Sequence, residues 1–179
     1  MGIILNDGVR PKVLRIDTLR FAAGTPYETR VVNDPAPGKQ VIPVEVAQAL
    51  RGALSQVVDA GTAKRVAGSF KLADGTPLAM GGKTGTGDNR IEAIGAGGRI
   101  LSSKSINRTA TFVFYLGEHH FGTLTAFVPG QSAEHFTFTS ALPVQVLKGM
   151  APILMPYLQP GNHTQCTPGT LAGVPGGQG

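Results

Sequence analysis

Gly81-Gly82-Lys83-Thr84-Gly85-Thr86-Gly87 is the stretch on which the reading of this 179-residue chain turns. Two chemistries place glycine, lysine and threonine in this order. A phosphate-binding loop needs G-x-x-x-x-G-K-[ST] with a helix directly after it, so that the helix's first N–H groups meet the phosphate. With Gly82 as the second glycine, the first would fall on Pro77. Thr84 is followed by Gly85-Thr86-Gly87-Asp88-Asn89, which turns or caps and does not open an amphipathic helix. The phosphate reading fails on both counts. The other chemistry is the K-T-G element of serine acyl-transferases, carried on a strand at the wall of a cleft. There the ammonium and hydroxyl groups receive a peptide's terminal carboxylate. Glycine clears room for a peptide lying antiparallel to the strand edge.

The surroundings suit a strand. Leu78 to Thr86 reads as a short one, followed by a glycine-rich stretch from Gly95 to Gly98. From Arg108 to Leu116 the pattern alternates, with Ala110, Phe112, Phe114 and Leu116 on one side and Thr109, Thr111, Val113 and Tyr115 on the other. Gly122 to Val128 alternates again, so Gly117-Glu118-His119-His120-Phe121 reads as a hairpin loop. Upstream, a helix is expected from Pro43 to about Ala60. Pro43 takes its first position, Val46, Leu50, Ala53, Leu54 and Val57 form one apolar face, and Gly61 stops it. A last helix runs from about Ala141 towards Leu158, capped by Thr139 or Ser140, with Pro143 in its first turn and Pro152 kinking or ending it. Residues 1–40 read as irregular, with a short strand within 13–21 and loop chemistry at Gly24-Thr25-Pro26 and over 34–38. The fold class is α+β, an antiparallel sheet with flanking helices. Residues 1–158 form the domain, and 159–179 are a Gly/Pro-rich tail expected to be disordered.

Composition bounds the remaining possibilities. The hydrophobic fraction of 41% belongs to a globular protein, and no apolar run approaches the roughly 18 residues of a membrane span. No signal peptide is visible from Met1 to Arg10. Cys166 is the one cysteine, which excludes an internal disulfide and a cysteine-built zinc site; it reads as a free thiol in the tail. The formal charge of +5 is spread from Arg10 to Lys148 with no basic run or aromatic interleaving. Nucleic acid is therefore not an expected partner. A mildly basic surface facing an anionic envelope accounts for the charge.

From Asn6 to Leu158 the chain resembles the class A (bifunctional) penicillin-binding proteins, cell-wall synthases with a glycosyltransferase and a transpeptidase domain. The matching stretches are Asn6-Asp7-Gly8, Thr25-Pro26-Tyr27, Val57-Val58-Asp59-Ala60-Gly61-Thr62-Ala63, Gly82 to Thr86, and Asn107-Arg108-Thr109-Ala110. Gly61-Thr62-Ala63, about twenty residues before the K-T-G-T, is the most specific companion. The resemblance covers most of this chain but about half of the family's transpeptidase domain, its C-terminal half. It implies the penicillin-binding transpeptidase (serine β-lactamase-like) fold and no cofactor. The partners implied are a peptidoglycan stem peptide ending in D-Ala-D-Ala, β-lactams, and the missing N-terminal half of the domain. Lys83 would hold the substrate carboxylate and support proton movement. Thr84 and Thr86 would donate hydroxyl hydrogen bonds to that carboxylate, Gly85 would make room for the substrate, and the Thr86 N–H would be an oxyanion donor. The intact protein would act at the periplasmic face of the inner membrane.

The nucleophile is the missing part. The family's serine belongs to an S-x-x-K motif, yet the residues three before the seven lysines are Val9, Ala36, Gly61, Gly68, Met80, Leu101 and Gln145. Loss of a catalytic serine typically lowers turnover about a millionfold, so this chain alone is expected not to acylate. Ser105-Ile106-Asn107 matches S-x-N literally, but it follows the K-T-G and reads as the entrance to the next strand. His119 and His120 are adjacent and diverge on an extended chain, with no third ligand at metal spacing, so no metal site is expected. Asp88, Asn89 and Arg90 cap the turn or line the cleft mouth. Two functions remain open: the substrate-binding half of a D,D-transpeptidase, or a non-catalytic module that binds a peptide or partner on the same half-fold.

Overall fold

A computed structural model describes residues 1–13, 16, 18–32 and 37–159. In chain order, α1 (Gly2–Leu5) leads to β1 (Val9–Arg10), then to the hairpin of β2 (Thr18–Phe21) and β3 (Thr29–Val32). β4 (Lys39–Gln40) returns to pair with β1, Val9 opposite Gln40. The region expected to be irregular thus holds four short strands and a helical turn. Strands of two to four residues leave no alternation to read. The β2–β3 turn is closed by polar contacts instead: Glu28 accepts from the Gly24 N–H at 3.1 Å and from Arg30 Nε at 2.8 Å. Part of the strand expected within 13–21, most of the 34–38 loop, the tail from 160 and Cys166 lie outside the described residues.

The expected central helix is α2 (Val44–Asp59). Pro43 stands one position before it, with an extended ψ of 150°, and Gly61 follows the terminal Ala60. A side chain at Gly61 would bring its Cβ within 2.9 Å of the Val57 backbone, so close approach explains this glycine. The inward face differs from the apolar stripe expected. Ala47 and Val58 are buried and Arg51, Leu54, Ser55 and Val57 half-buried, whereas Val46 and Leu50 are exposed. Small and polar side chains turn inward because the helix lies almost on the backbone of the next element. Arg51 serves as a tie, its Nη2 donating to the carbonyls of Ile4 and Leu5 and to the Asp7 carboxylate at 3.1, 2.7 and 3.2 Å.

The centre is a meander of β5 (Met80–Ile94), β6 (Ile100–Leu116) and β7 (His120–Pro129), ordered β5-β6-β7 and antiparallel throughout. All three strands exceed their expected lengths. β5 continues through Gly85, Gly87, Asp88 and Asn89 because each is paired with β6. Beyond Asn107, where β7 ends opposite Pro129, β5 and β6 run on as a two-stranded ribbon with register shifts after Asn89 and Ala93. The turn after β6 is tighter than expected: His120 and Phe121 already belong to β7. Ser105-Ile106-Asn107 sits inside β6 rather than at its entrance. The outer edge of β7 is unpaired among the described residues.

α3 (Ala141–Leu158) packs on the sheet. Thr139 caps it, its Oγ1 accepting from the Ala141 N–H at 3.3 Å, while Ser140 makes no side-chain cap. Pro152 does not end the helix, which carries both Pro152 and Pro156. Packing on both sides of Pro152 holds it: Val144, Leu147 and Ala151 before, Leu154, Met155 and Leu158 after. At 18 residues and a mean hydropathy of 1.2, α3 has the length and composition of a membrane span, contrary to the sequence reading. In this structure it supplies the core. Val144, Leu147 and Ala151 meet Met80, Phe112, Phe114 and Leu116 of the sheet and Val58, Ala63, Val66 and Phe70 of the preceding segment. Each large side chain buried there stabilises the fold by about 1.5–3 kcal/mol. The arrangement is α+β, as expected.

Candidate functional site

Antiparallel partners share a face of the sheet. Thr84 lies opposite Phe112 and Thr86 opposite Ala110, so both threonines belong to the core face. Lys83, Gly85 and Gly87 lie opposite Val113, Thr111 and Thr109, on the other face. α2 covers that face only at its beginning. A Cβ on Gly81 would stand 2.6 Å from the Tyr115 ring and 2.7 Å from the Leu54 and Ser55 backbone, so glycine is required for the helix to lie there. The Ser55 and Tyr115 hydroxyls meet at 2.7 Å and fasten the crossing. Past Lys83, nothing among the described residues stands within 4 Å of where a Cβ would lie on Gly85 or Gly87.

β5 is also an edge strand. At its start the Gly117 N–H donates to the Ala79 carbonyl at 2.7 Å, which turns the backbone groups of Ala79 towards β6. Alternation along an antiparallel ladder then directs those of Gly81, Lys83 and Gly85 to β6, and those of Gly82, Thr84 and Thr86 outward. The Thr84 carbonyl accordingly accepts from the Lys83 ammonium at 2.5 Å. The outward edge thus offers the Thr86 N–H beside a lysine whose side chain is exposed.

The two hydroxyls of the motif have partners within the chain. Thr84 is 7% exposed, and its Oγ1 lies 2.5 Å from that of Thr62. Thr86 Oγ1 accepts from the Ser140 N–H at 2.8 Å and keeps its own proton to donate. Thr62 and Ser140 were not named as site residues from sequence; Gly61-Thr62-Ala63 stood out only through the resemblance. Downstream, Asp88, Asn89 and Arg90 lie in β5. Arg90 bonds Asp88 at 2.7 Å and Ser103 at 2.8 Å, and Ser103 donates to Glu92. Ser105 is buried with its hydroxyl on the Asn107 carbonyl, and the Asn107 side chain accepts from the Asn89 N–H, so this S-x-N serves the strand pairing. His119 and His120 are exposed at the β6–β7 turn. A cavity of about 490 Å³ lies elsewhere, lined by α1, Arg51, His119 and Phe121, and includes no residue of β5.

The fold recurs in solved structures. Penicillin-binding protein 2B of Streptococcus pneumoniae superposes with a TM-score of 0.51 at 18% identity, over 90% of this chain and 24% of that one. The fold is that of part of a penicillin-binding transpeptidase domain. Penicillin-binding protein 3 of Mycobacterium tuberculosis, in complex with aztreonam, gives a TM-score of 0.49 at 21% identity over 86% of this chain and 32% of that one. A peptidoglycan synthetase from Bifidobacterium adolescentis gives 0.45 at 18% identity over 87% and 24%. The chain therefore spans about a quarter to a third of the length of these three proteins. No family model and no curated protein matches the sequence.

Proposed function

We propose that this chain is the substrate-binding, C-terminal half of a peptidoglycan D,D-transpeptidase of the class A penicillin-binding type. The observation that carries this reading is the pair Gly85 and Gly87, which stand in an edge strand beside Lys83 with open space over both. Glycine inside a strand costs roughly 0.5–1 kcal/mol relative to alanine. Among the described residues no side chain fills the space over these two positions, which suits a ligand that comes from outside. A stem peptide ending in D-Ala-D-Ala fits: it adds as an antiparallel strand along β5, its carboxylate towards Lys83 and its penultimate carbonyl at the Thr86 N–H.

The chemistry assigned to the chain is binding and charge stabilisation. Lys83 and the Thr86 hydroxyl hold the carboxylate, charge-assisted bonds worth roughly 1.5–3 kcal/mol each. The Thr86 N–H stabilises the tetrahedral oxyanion, a role worth about 2.7–4 kcal/mol in comparable sites. The attacking serine and its base come from residues outside this chain. The serine oxygen bonds to the penultimate carbonyl carbon, and the terminal D-alanine leaves as its protonated amine. An acceptor amine then takes the acyl group and restores the serine. The same cleft acylates with β-lactams, and the assembled protein works at the periplasmic face of the inner membrane.

The test is a fluorescent penicillin applied to two proteins: this chain, and the product of its gene read in frame from further upstream, including an S-x-x-K serine. The longer protein is expected to label covalently and the 179-residue chain to remain dark. Labelling of the short chain overturns the placement of the nucleophile, and a dark longer protein overturns the transpeptidase reading.

A further inference from the structure

We infer that Thr62 is a carboxylate-binding residue of this cleft, presenting to the substrate the one outward proton of the Thr62–Thr84 hydroxyl pair; this rests on the transpeptidase reading above. The two hydroxyl oxygens are 2.5 Å apart and each owns a single proton. Thr84 faces the core and is 7% exposed, whereas Thr62 is exposed. If Thr62 donated inward, the Thr84 proton would need a buried acceptor, and Thr62 is the hydroxyl partner Thr84 has among the described residues. A buried donor without an acceptor is disfavoured. Thr84 therefore donates to Thr62, and the proton of Thr62 points to solvent.

Its position suits a terminal group. α2 lies on the Lys83 face, where Leu54 and Ser55 approach Gly81, while Ala63, Val66 and Phe70 pack in the core on the Thr84 face. Thr62 lies in sequence between these two packings, and its hydroxyl meets that of Thr84. A peptide strand added antiparallel along β5 with its penultimate carbonyl at the Thr86 N–H ends beside Thr84. An ending strand presents a carboxylate, and at that point it meets the Thr62 hydroxyl beside the Lys83 ammonium held on the Thr84 carbonyl. The motif threonine that faces the core thus acts on the ligand through its neighbour.

The experiment titrates the ¹⁵N-labelled chain with N-acetyl-D-Ala-D-Ala and with the same dipeptide as its C-terminal amide. The acid is expected to shift the amides of Thr62, Lys83 and Thr86. Thr62→Val should weaken the acid about tenfold or more, the loss of one charge-assisted hydrogen bond, and leave the amide's binding unchanged. Thr62→Ser should restore wild-type binding, and Thr62→Ala, a second variant should the valine fail to fold, should show the same acid-only loss. Wild-type affinity for the acid in Thr62→Val or Thr62→Ala overturns the inference, and so does an equal loss for acid and amide. A wild-type chain that does not prefer the acid overturns the underlying reading as well.

Discussion

Thr86 Oγ1 accepts a 2.8 Å hydrogen bond from the backbone N–H of Ser140, 54 positions further along the chain. The bond joins the last residue of the Lys83-Thr84-Gly85-Thr86 segment to the residue that precedes α3. The lysine-bearing edge and the helix that fills the core are thereby held in one frame.

Thr86→Val keeps the branched shape and removes the acceptor, leaving the Ser140 N–H unpaired. The expected loss is about 0.5–1.5 kcal/mol, read as a lower denaturation midpoint with an unchanged denaturant slope. Thr86→Ser should fall near wild type.

Two glycines of the same strand should respond oppositely. Gly81→Ala forces a methyl against the Tyr115 ring and the α2 backbone, and overpacking of this kind costs about 1–3 kcal/mol. Gly87→Ala meets nothing within 4 Å among the described residues and should leave stability unchanged or raise it by a few tenths of a kcal/mol. Thermal unfolding separates the two. In the transpeptidase proposed above, Gly87→Ala should nonetheless slow acylation by penicillin.

Ser55 and Tyr115 should be coupled. Their hydroxyls are 2.7 Å apart, and the tyrosine also reaches the Arg51 carbonyl at 3.4 Å. Ser55→Ala, Tyr115→Phe and the double variant form a cycle whose coupling energy is expected at about 0.5–1.5 kcal/mol. A cycle that closes to zero would mean that the hydroxyls do not fasten α2 to β6.

Asp74 carries a local pH dependence. The Thr76 backbone N–H donates to it at 2.9 Å, and that bond, followed by the Thr76 hydroxyl, holds its carboxyl below the ordinary aspartate range. A depressed carboxylate contributes stability that is present above its unfolded value and is lost as pH falls through the folded one. NMR titration of the Asp74 carboxyl should give a midpoint below that of a free-peptide aspartate. Asp74→Asn should flatten the acid-side change in exchange protection at the Leu72 and Gly75 amides, which bond across the same turn.

The regular alternation of Ala110, Phe112, Phe114 and Leu116 made β6 legible, and that side is buried in the core. The continuation of β5 past Thr86 was hidden because Gly85, Gly87, Asp88 and Asn89 are poor strand formers; the pairing with β6, remote in sequence, holds them extended. The inward face of α2 was misread for a related reason. Hydrophobicity points to Val46 and Leu50, but the surface that the helix meets is a glycine backbone and a tyrosine hydroxyl, which suit Ala47, Arg51 and Ser55. At the site, the spacing of Lys83 and Thr86 was readable in one segment. The partners Thr62 and Ser140 were not, because hydrogen bonds across 22 and 54 positions leave no local pattern.

The sheet also has two unlike rims. One is the glycine-bearing edge of β5; the other is the outer edge of β7, flanked by Phe121 and Phe127, which are 58% and 56% exposed. An unpaired strand beside exposed aromatic rings is a template for any extended segment that reaches it. The molecule is therefore polarised. Its glycine rim leaves open space over the backbone, and its aromatic rim offers apolar surface beside an unpaired edge. Should the isolated chain self-associate in concentrated solution, the β7 rim with its exposed rings is the expected contact.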